Sequence, residues 1–428
     1  MILNKFFKKD KEKFIIPKGV QDVIPIKRIW KDGIFLVGKN KYSKTFKFTD
    51  INYIVASEED KEAMFLNYMQ ILNSFECEML VKISILNSKM NEQNIENNIK
   101  IDDEKDKLDK LRKEYNRLID EGTKSSNGII QEKYITITIK KKNLAEARTS
   151  FRRITVELNK HFKRLNSVCV ELDADERLRM LHNFYRMGEE SSFSFDMIDN
   201  MKKGHSFKDY ISPDSFEFKK DYFKMGDKFG RVIFLKEYAN FIKDSMIAEL
   251  TDISKNLILT IDISPVATDE AIKDAEKILL GVETNKANYI RKQSENNNFF
   301  ASIPFDMEQQ EQEAREFLND LMTRDQRMFL GLITIVFVAD TEKELENTTE
   351  AILTTARRNL CQFGILRFQQ LDGLNTSLPI GVETIETLRT LTTESLAVFM
   401  PFKVQEVQHE KRYILWTKCN FQKYDTVR

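Results

Sequence analysis

A loop that cradles phosphate needs backbone N–H groups exposed by glycines, followed by a Lys and a hydroxyl for the phosphate oxygens and Mg²⁺. The 428 residues contain no GxxxxGK[ST] run. The nearest glycine-bearing stretches are GDKFG at Gly226–Gly230 and GVET, which starts at Gly281 and again at Gly381. The first lacks a Lys-hydroxyl pair after its last glycine and leads into a strand-like run; the second has one glycine and no adjacent lysine. Both read as turns. His161, His182, His205 and His409 form neither HExxH nor any close pair that could share an ion. No GxSxG occurs, and Asp173 with Asp175, or Glu189 with Glu190 after Gly188, sit where helix caps and solvated surface use carboxylates. No catalytic, cofactor-binding or metal-ligating residue emerges, and no cofactor is expected in this chain.

One arrangement could contact phosphate. Lys140, Lys141 and Lys142 precede a helix-like run carrying Arg148, Arg152, Arg153, Lys160, Lys163 and Arg164, a spacing that gathers positive charge on one face. The same spacing suits a solvated helix face, and a chain with 67 basic and 67 acidic residues produces such local excesses readily. The balance of charge removes any global electrostatic case for nucleic acid or a membrane surface. A second basic stretch, Lys5–Lys18 with Phe6, Phe7 and Phe14 between the charges, suits either a docking arm or a frayed terminus.

The elements that would position these groups are those of a globular chain of more than one folded unit, with 41% hydrophobic residues. The start has no uninterrupted apolar core, and nowhere is there the run of about 20 apolar residues that a bilayer-spanning helix needs. Cys77, Cys169, Cys361 and Cys419 have no paired spacing; the first three lie in or beside strand-like runs and are expected to be reduced and buried.

Along the chain the spacing predicts a strand or hairpin at Phe46–Ala56, then a helix capped by Ser57 that runs to about Ser74, and a strand at Cys77–Leu86. A charged insertion follows, with a helical stripe at Leu108, Leu111, Tyr115 and Leu118. Strict alternation of Ile135, Ile137 and Ile139 with Tyr134, Thr136 and Thr138 marks a strand, followed by a helix at Leu144–Leu165 and a strand at Ser167–Asp173. The order recurs: strand Phe229–Leu235, helix Glu237–Leu250, strand Leu257–Ile263, a long helical region from Ala267 to about Thr323, strand Leu330–Ala339, helix Thr341–Leu360 and strand Cys361–Phe368. This predicts an α+β protein of two ferredoxin-like subdomains, each with a helical insertion; a single larger domain whose strands join a common sheet is the alternative. The expected layout is a basic arm and lead-in at 1–40, a first subdomain at 41–173 with its insertion at about 88–130, a helix and linker at 174–225, and a second subdomain at 226–370 with its insertion at about 267–327. Phe193, Phe195, Tyr210 and Phe216 of the linker are expected to pack back onto a domain surface.

The remaining segment carries a resemblance. Ser377-Leu378-Pro379-Ile380-Gly381 is followed by RTLTTESLAVFMPF, with Arg389, Thr392, Glu394, Ser395, Met400, Pro401 and Phe402. This resembles the stretch that leads into the motor domain of the conjugative-transfer ATPases of type IV secretion systems, and YSKTFKFTDINY at Tyr42–Tyr53 is similar to the start of that family's amino-terminal region. Pro379 would fix φ in a turn and Gly381 free it, after which Thr392–Val398 would bring a strand or helix to the next domain. The resemblance implies a cytoplasmic protein held at the inner face of the cell membrane by other components of a conjugation machine, possible self-association, and ATP with Mg²⁺ bound only by a full-length, RecA-like motor. No RecA-like domain is expected in these residues, and 371–410 would be the junction toward it. From Glu410 the chain reads EKRYILWTKCNFQKYDTVR, where the family leads one to expect GxYYGxN. Arg412–Val427, back-translated with mostly A/T-rich codons and read from the second codon position, can yield GIYYGQNAISKNMIQ. Residues from about 411 to Arg428 are therefore expected to be an out-of-frame tail.

Overall fold

The computed structural model describes residues 17–89, 108–125, 129–238, 242–296, 302–403, 408–409 and 413–414. The basic start up to Phe14 and the insertion residues 90–107 lie outside the described residues, as does the expected tail apart from Tyr413–Ile414, which pairs with Gln408–His409.

The α-helices are α1 (Val20–Val23), α2 (Glu58–Asn73), α3 (Asp109–Ser125), α4 (Leu144–Arg164), α5 (Ala174–Tyr185), α6 (Met197–Lys203), α7 (Met246–Thr251), α8 (Thr268–Glu295), α9 (Phe305–Thr323), α10 (Glu342–Arg358), α11 (Gln370–Ser377) and α12 (Thr393–Ala397). The main strands are β1 (Arg28–Ile29), β2 (Phe35–Gly38), β3 (Lys41–Phe48), β4 (Leu80–Lys89), β5 (Ile129–Lys140), β6 (Cys169–Glu171), β7 (Phe216–Phe218), β8 (Phe223–Met225), β9 (Lys228–Glu237), β10 (Leu257–Pro265), β11 (Met328–Ala339), β12 (Gln362–Ile365) and β13 (Arg389–Thr392).

All 13 of these strands join one antiparallel sheet in a mixed α+β fold. Within it, the first half runs β6-β3-β5-β4 and the second β12-β9-β11-β10, the same spatial order for the same sequence order. The halves meet edge to edge where β4 pairs with β10, from Leu257 opposite Asn87 to Ile263 opposite Val81. The structure thus takes the common-sheet arrangement while keeping the internal repeat.

Side-chain alternation gives the sheet two faces. Ile83, Ile85, Ile135, Ile137, Leu259, Ile261, Ile333 and Ile335 face one core, under α2, α4, α7 and α10. Helix α4 shows why it lies there: Ala147, Phe151, Ile154, Leu158 and Phe162 recur every three or four residues and are buried, each large one contributing about 1.5–3 kcal/mol. Asn143 caps its first turn by accepting from Glu146 N–H, and His161, Lys163 and Arg164 sit in its last turn. The opposite face is covered by α5, α11 and the base of the α8–α9 hairpin, through Leu178, Leu181, Leu374, Ala271, Ala275 and Leu321.

Several expectations shift. The strand placed at Phe46–Ala56 ends at Phe48, because Asp50 turns the chain, its Oδ1 accepting from Ile51 N–H and Lys403 N–H. The helix placed at Glu237–Leu250 shortens to Met246–Thr251, since Lys236 and Glu237 complete β9 and Glu237 stands opposite Gln362. The lead-in before residue 41 supplies β1 and β2, which pair with one another, and β2 pairs in turn with β3. The helix expected at the start of 174–225 is α5, which lies in the core with Arg177 fully buried, and Phe193, Phe195 and Phe216 of the segment after it pack against that core. Cys169 and Cys361 are buried, but Cys77 is exposed because β4 starts at Leu80, three residues later than expected.

Candidate functional site: a buried polar crossing under the 370–388 strap

The second face of the sheet carries a row of polar side chains where strands of this length normally place apolar ones. Thr45 stands opposite Thr136, Thr136 opposite Lys82, and Lys82 opposite Asp262, one row across four strands. The neighbouring rows hold Ser43 opposite Thr138, and Ser84 opposite Thr260, which in turn faces Thr334. All nine are buried. Thr45 Oγ1 and Thr136 Oγ1 are 2.9 Å apart, as are Ser84 Oγ and Thr260 Oγ1, so each pair shares a hydrogen bond.

What buries them is the segment from α11 to Leu388, a strap whose backbone runs across the rows. Lys82 Nζ donates to Thr376 O at 2.7 Å, and Thr260 Oγ1 to Ser377 O at 2.6 Å. Leu378 O accepts from Ile380 N–H within the strap. Thr136 Oγ1 and Thr45 Oγ1 approach Pro379 O at 3.3 and 3.4 Å, Ser43 Oγ donates to Ile380 O at 2.7 Å and Thr138 Oγ1 to Gly381 O at 2.7 Å. Six successive carbonyls, 376 to 381, are thereby satisfied without a ladder. Hydrogen bonds of this kind contribute about 1 kcal/mol each, while an unmet buried carbonyl costs more. Gly381 has φ +99°, and a Cβ there would lie 2.3 Å from Thr138 Oγ1, so the strap can follow the sheet only with glycine at this point.

Two buried cations grip the strap. Arg177 of α5 donates through Nη1 to Gly33 O (2.8 Å) and Ser43 O (2.9 Å), and Nη2 reaches Ser43 Oγ, Ile380 O and Pro379 O at 3.2–3.5 Å. Its guanidinium lies 3.8 Å above the Phe35 ring, and burial pulls its pKa down to about 9. Lys82, 0% exposed, also donates to Asp262 Oδ1, on a residue 1% exposed. Burial raises the Asp262 pKa despite the ammonium beside it. From the strap, Glu383 joins this cluster, its Oε2 3.4 Å from Ser264 Oγ; burial and the Asp262 charge push its carboxyl up to about 7. Part of the Glu383 side chain reaches the surface, but its Oε1 is sealed off from solvent and has no donor.

Past the strap the chain rounds the sheet. Arg389 heads β13, which pairs with Met328–Gly331 of β11, and donates to Lys236 O at 3.1 Å. Thr392 caps α12 by accepting from Ser395 N–H, and Thr393 Oγ1 donates to Asn73 Oδ1 of α2. Glu394 N–H donates to Gln326 Oε1. Met400, Pro401 and Phe402 end in the first core, where the Phe402 ring lies 5.7 Å from Phe48 and 5.9 Å from Tyr68. The motif residues 377–402 are therefore a stitch through both halves and both faces, buried at 377–381 and 399–402 and exposed at Arg389, Glu394 and Ser395.

The basic residues lie elsewhere. Lys140, Lys142, Arg152, Arg153, Lys160, Lys163 and Arg164 are exposed and Lys141 is half-buried, all at or near the outer side of α4. Arg153 pairs with Glu76 and Arg164 donates to Gln70 Oε1, so part of this charge is tied to α2 and the loop after it. His161, on the same helix, has its pKa lowered by burial and then by Arg164 and Lys160.

Lys82, Asp262, Arg177 and Glu383 were not singled out by type or spacing. A charge at one position inside each of the apolar runs LVKISIL and LILTIDIS was the available signal. Among the described residues no group of three or more His, Cys, Asp or Glu side chains could hold a metal ion. No helix among them is long and apolar enough to cross a membrane. Comparison with protein-family models and with curated proteins finds no match.

Proposed function

We propose that the chain is the amino-terminal assembly region of a conjugative DNA-transfer ATPase of a type IV secretion system, and that each half of the sheet is a ferredoxin-like unit. The observation that carries the reading joins the two stretches on which the resemblance rests. Ser43 and Thr45, in the run from Tyr42 to Tyr53, hold the carbonyls of Ile380 and Pro379, and Phe48 packs on Phe402. Two stretches more than 300 residues apart that resemble one family are thus parts of one packed unit, as a shared inheritance would require. In each half the sequence order strand-helix-strand-strand-helix-strand gives the spatial order 4-1-3-2, which supports the ferredoxin-like reading.

The 428 residues carry no phosphate loop, and the activity proposed for them is recruitment and ordering. The partners are the inner-membrane and cytoplasmic components of the same transfer machine, and other copies of the chain. Two experiments test the proposal. Sequencing the gene from source DNA through about a kilobase beyond codon 428 should show a second phase encoding GIYYG and then a phosphate loop; a confirmed frame with neither speaks against the family. Purified chain should also bind the inner-membrane components encoded beside it at micromolar concentration or tighter, and absence of binding to every one of them removes the assembly role.

A further inference from the structure

The seam between β4 and β10 buries more acid than base. Asp262 of β10 receives Lys82 of β4 at Oδ1, while its Oδ2 is sealed from solvent and has no donor. Glu383 of the strap stands over Ser264, two residues along the same face of β10, and its Oε1 is equally sealed and equally without a donor. The charged groups that act on Glu383 are Lys82 from β4, Asp262 from β10 and Lys41 from the start of β3; the strap brings no cation of its own to the cluster. With both acids ionised, two carboxylates would share one fully buried ammonium, and two buried acceptor oxygens would stay unmet, a state that is costly in a low-dielectric interior. One proton removes the excess negative charge and adds an O–H group to the cluster.

We propose that Asp262 and Glu383 form a proton-binding site at the seam, and that the bound proton holds the 370–388 strap down on the sheet. The proton is shared by the pair, which titrates as a unit. Burial raises the proton affinity of both carboxyls, and at Glu383 the neighbouring Asp262 charge raises it further. An acid whose affinity is raised by folding binds its proton more tightly in the folded chain than in the unfolded one. The stability it lends is full below the unfolded carboxyl value of 4.5 and is lost as pH rises through about 7. Above that, the proton passes to solvent and Glu383 adds a second buried negative charge to that of Asp262. The carbonyls of Thr376 to Gly381 then have reason to leave Lys82, Arg177 and the Ser43, Thr45, Thr136, Thr138 and Thr260 hydroxyls for water. The site stands whether or not the chain serves a transfer machine.

Hydrogen-exchange mass spectrometry on the full chain at pH 6 and pH 8, corrected for intrinsic exchange rates, tests it. Protection of peptides within 370–388 should fall by about tenfold over that interval, while peptides from the α4 region stay constant, since one pH unit beyond the titration point leaves about a tenth of the pair protonated. In Glu383→Gln, whose amide supplies the N–H donor without a charge, protection of the strap should be independent of pH and at least equal to that of the parent at pH 6. Unchanged parent protection between pH 6 and pH 8 overturns the proposal, as does an equal fall in Glu383→Gln. If that variant fails to fold, the parent comparison decides alone.

Discussion

Replacing Lys82 by Met keeps the length of the side chain and removes its charge at the centre of the crossing. The ammonium is fully buried and serves two acceptors, Asp262 Oδ1 and Thr376 O. Breaking a buried ion pair from one side costs about 3–5 kcal/mol, because the partner is left charged without compensation. The loss of the Thr376 contact adds about 1 kcal/mol, placing the expected cost near the top of that range. Asp262 can limit the damage by taking up a proton, and its affinity is already raised by burial. The cost should therefore shrink at pH 5 relative to pH 8. In urea, with a slope of about 3 kcal/mol/M, the unfolding midpoint should drop by more than about 1 M at pH 7. Lys82→Met combined with Asp262→Leu should recover most of the loss, since an apolar pair of similar volume replaces a buried salt bridge at little or no cost. A single variant within about 1 kcal/mol of the parent, or a double variant no better than the single, would refute the pairing and with it the account of how the seam is held.

Gly381→Val should destabilise the chain by several kcal/mol, since its Cβ would meet Thr138 Oγ1 at 2.3 Å and φ is positive, and should raise protease cutting between 370 and 388; a neutral outcome in thermal melts contradicts the seating described. Leu360→Gly should stabilise by about 1 kcal/mol, because Leu360 holds φ +57° with its side chain 78% exposed, and urea unfolding reads the difference. A maleimide should label Cys77 in the folded chain within minutes while Cys169 and Cys361 react only after denaturation; burial also pushes the Cys169 thiol up to about 12. If the α4 face meets nucleic acid, changing Arg152, Lys160 and Lys163 to Glu should abolish any salt-dependent binding of a DNA oligonucleotide in fluorescence anisotropy, and equal binding by parent and variant excludes that face.

Local signals in the sequence located most elements. Helix α2 starts where Ser57 caps it, α4 follows its apolar spacing, and α10 begins after Thr341, whose hydroxyl accepts from Glu344 N–H. The alternation at Tyr134–Ile139 marks a strand, but it does not reveal that Thr136 and Thr138 lie under the strap. Period-2 alternation reports that two faces differ, and says nothing of whether the polar one is covered by chain more than two hundred residues later. The pairing of β4 with β10 was illegible for the same reason: any exposed edge can accept a strand, and only register across the seam brings Lys82 opposite Asp262. The segment 377–402 resembles a family junction in its sequence, while the seating of its first residues depends on donors scattered over β3, β4, β5 and β10.

The edge-to-edge pairing of β4 and β10 bears on how such a chain can be inherited. Seven consecutive residue pairs close that seam, and the strap and the stitch from β13 to Phe402 cross it again. A recombination event that separated the halves near residue 226 would leave each with a long, flat, apolar-faced strand carrying bare N–H and C=O groups, a template for aggregation. The repeat is visible in the order of its elements, yet each half borrows the other's edge to cover its own. The two halves share an order of elements and a seam, so the physical unit is the pair.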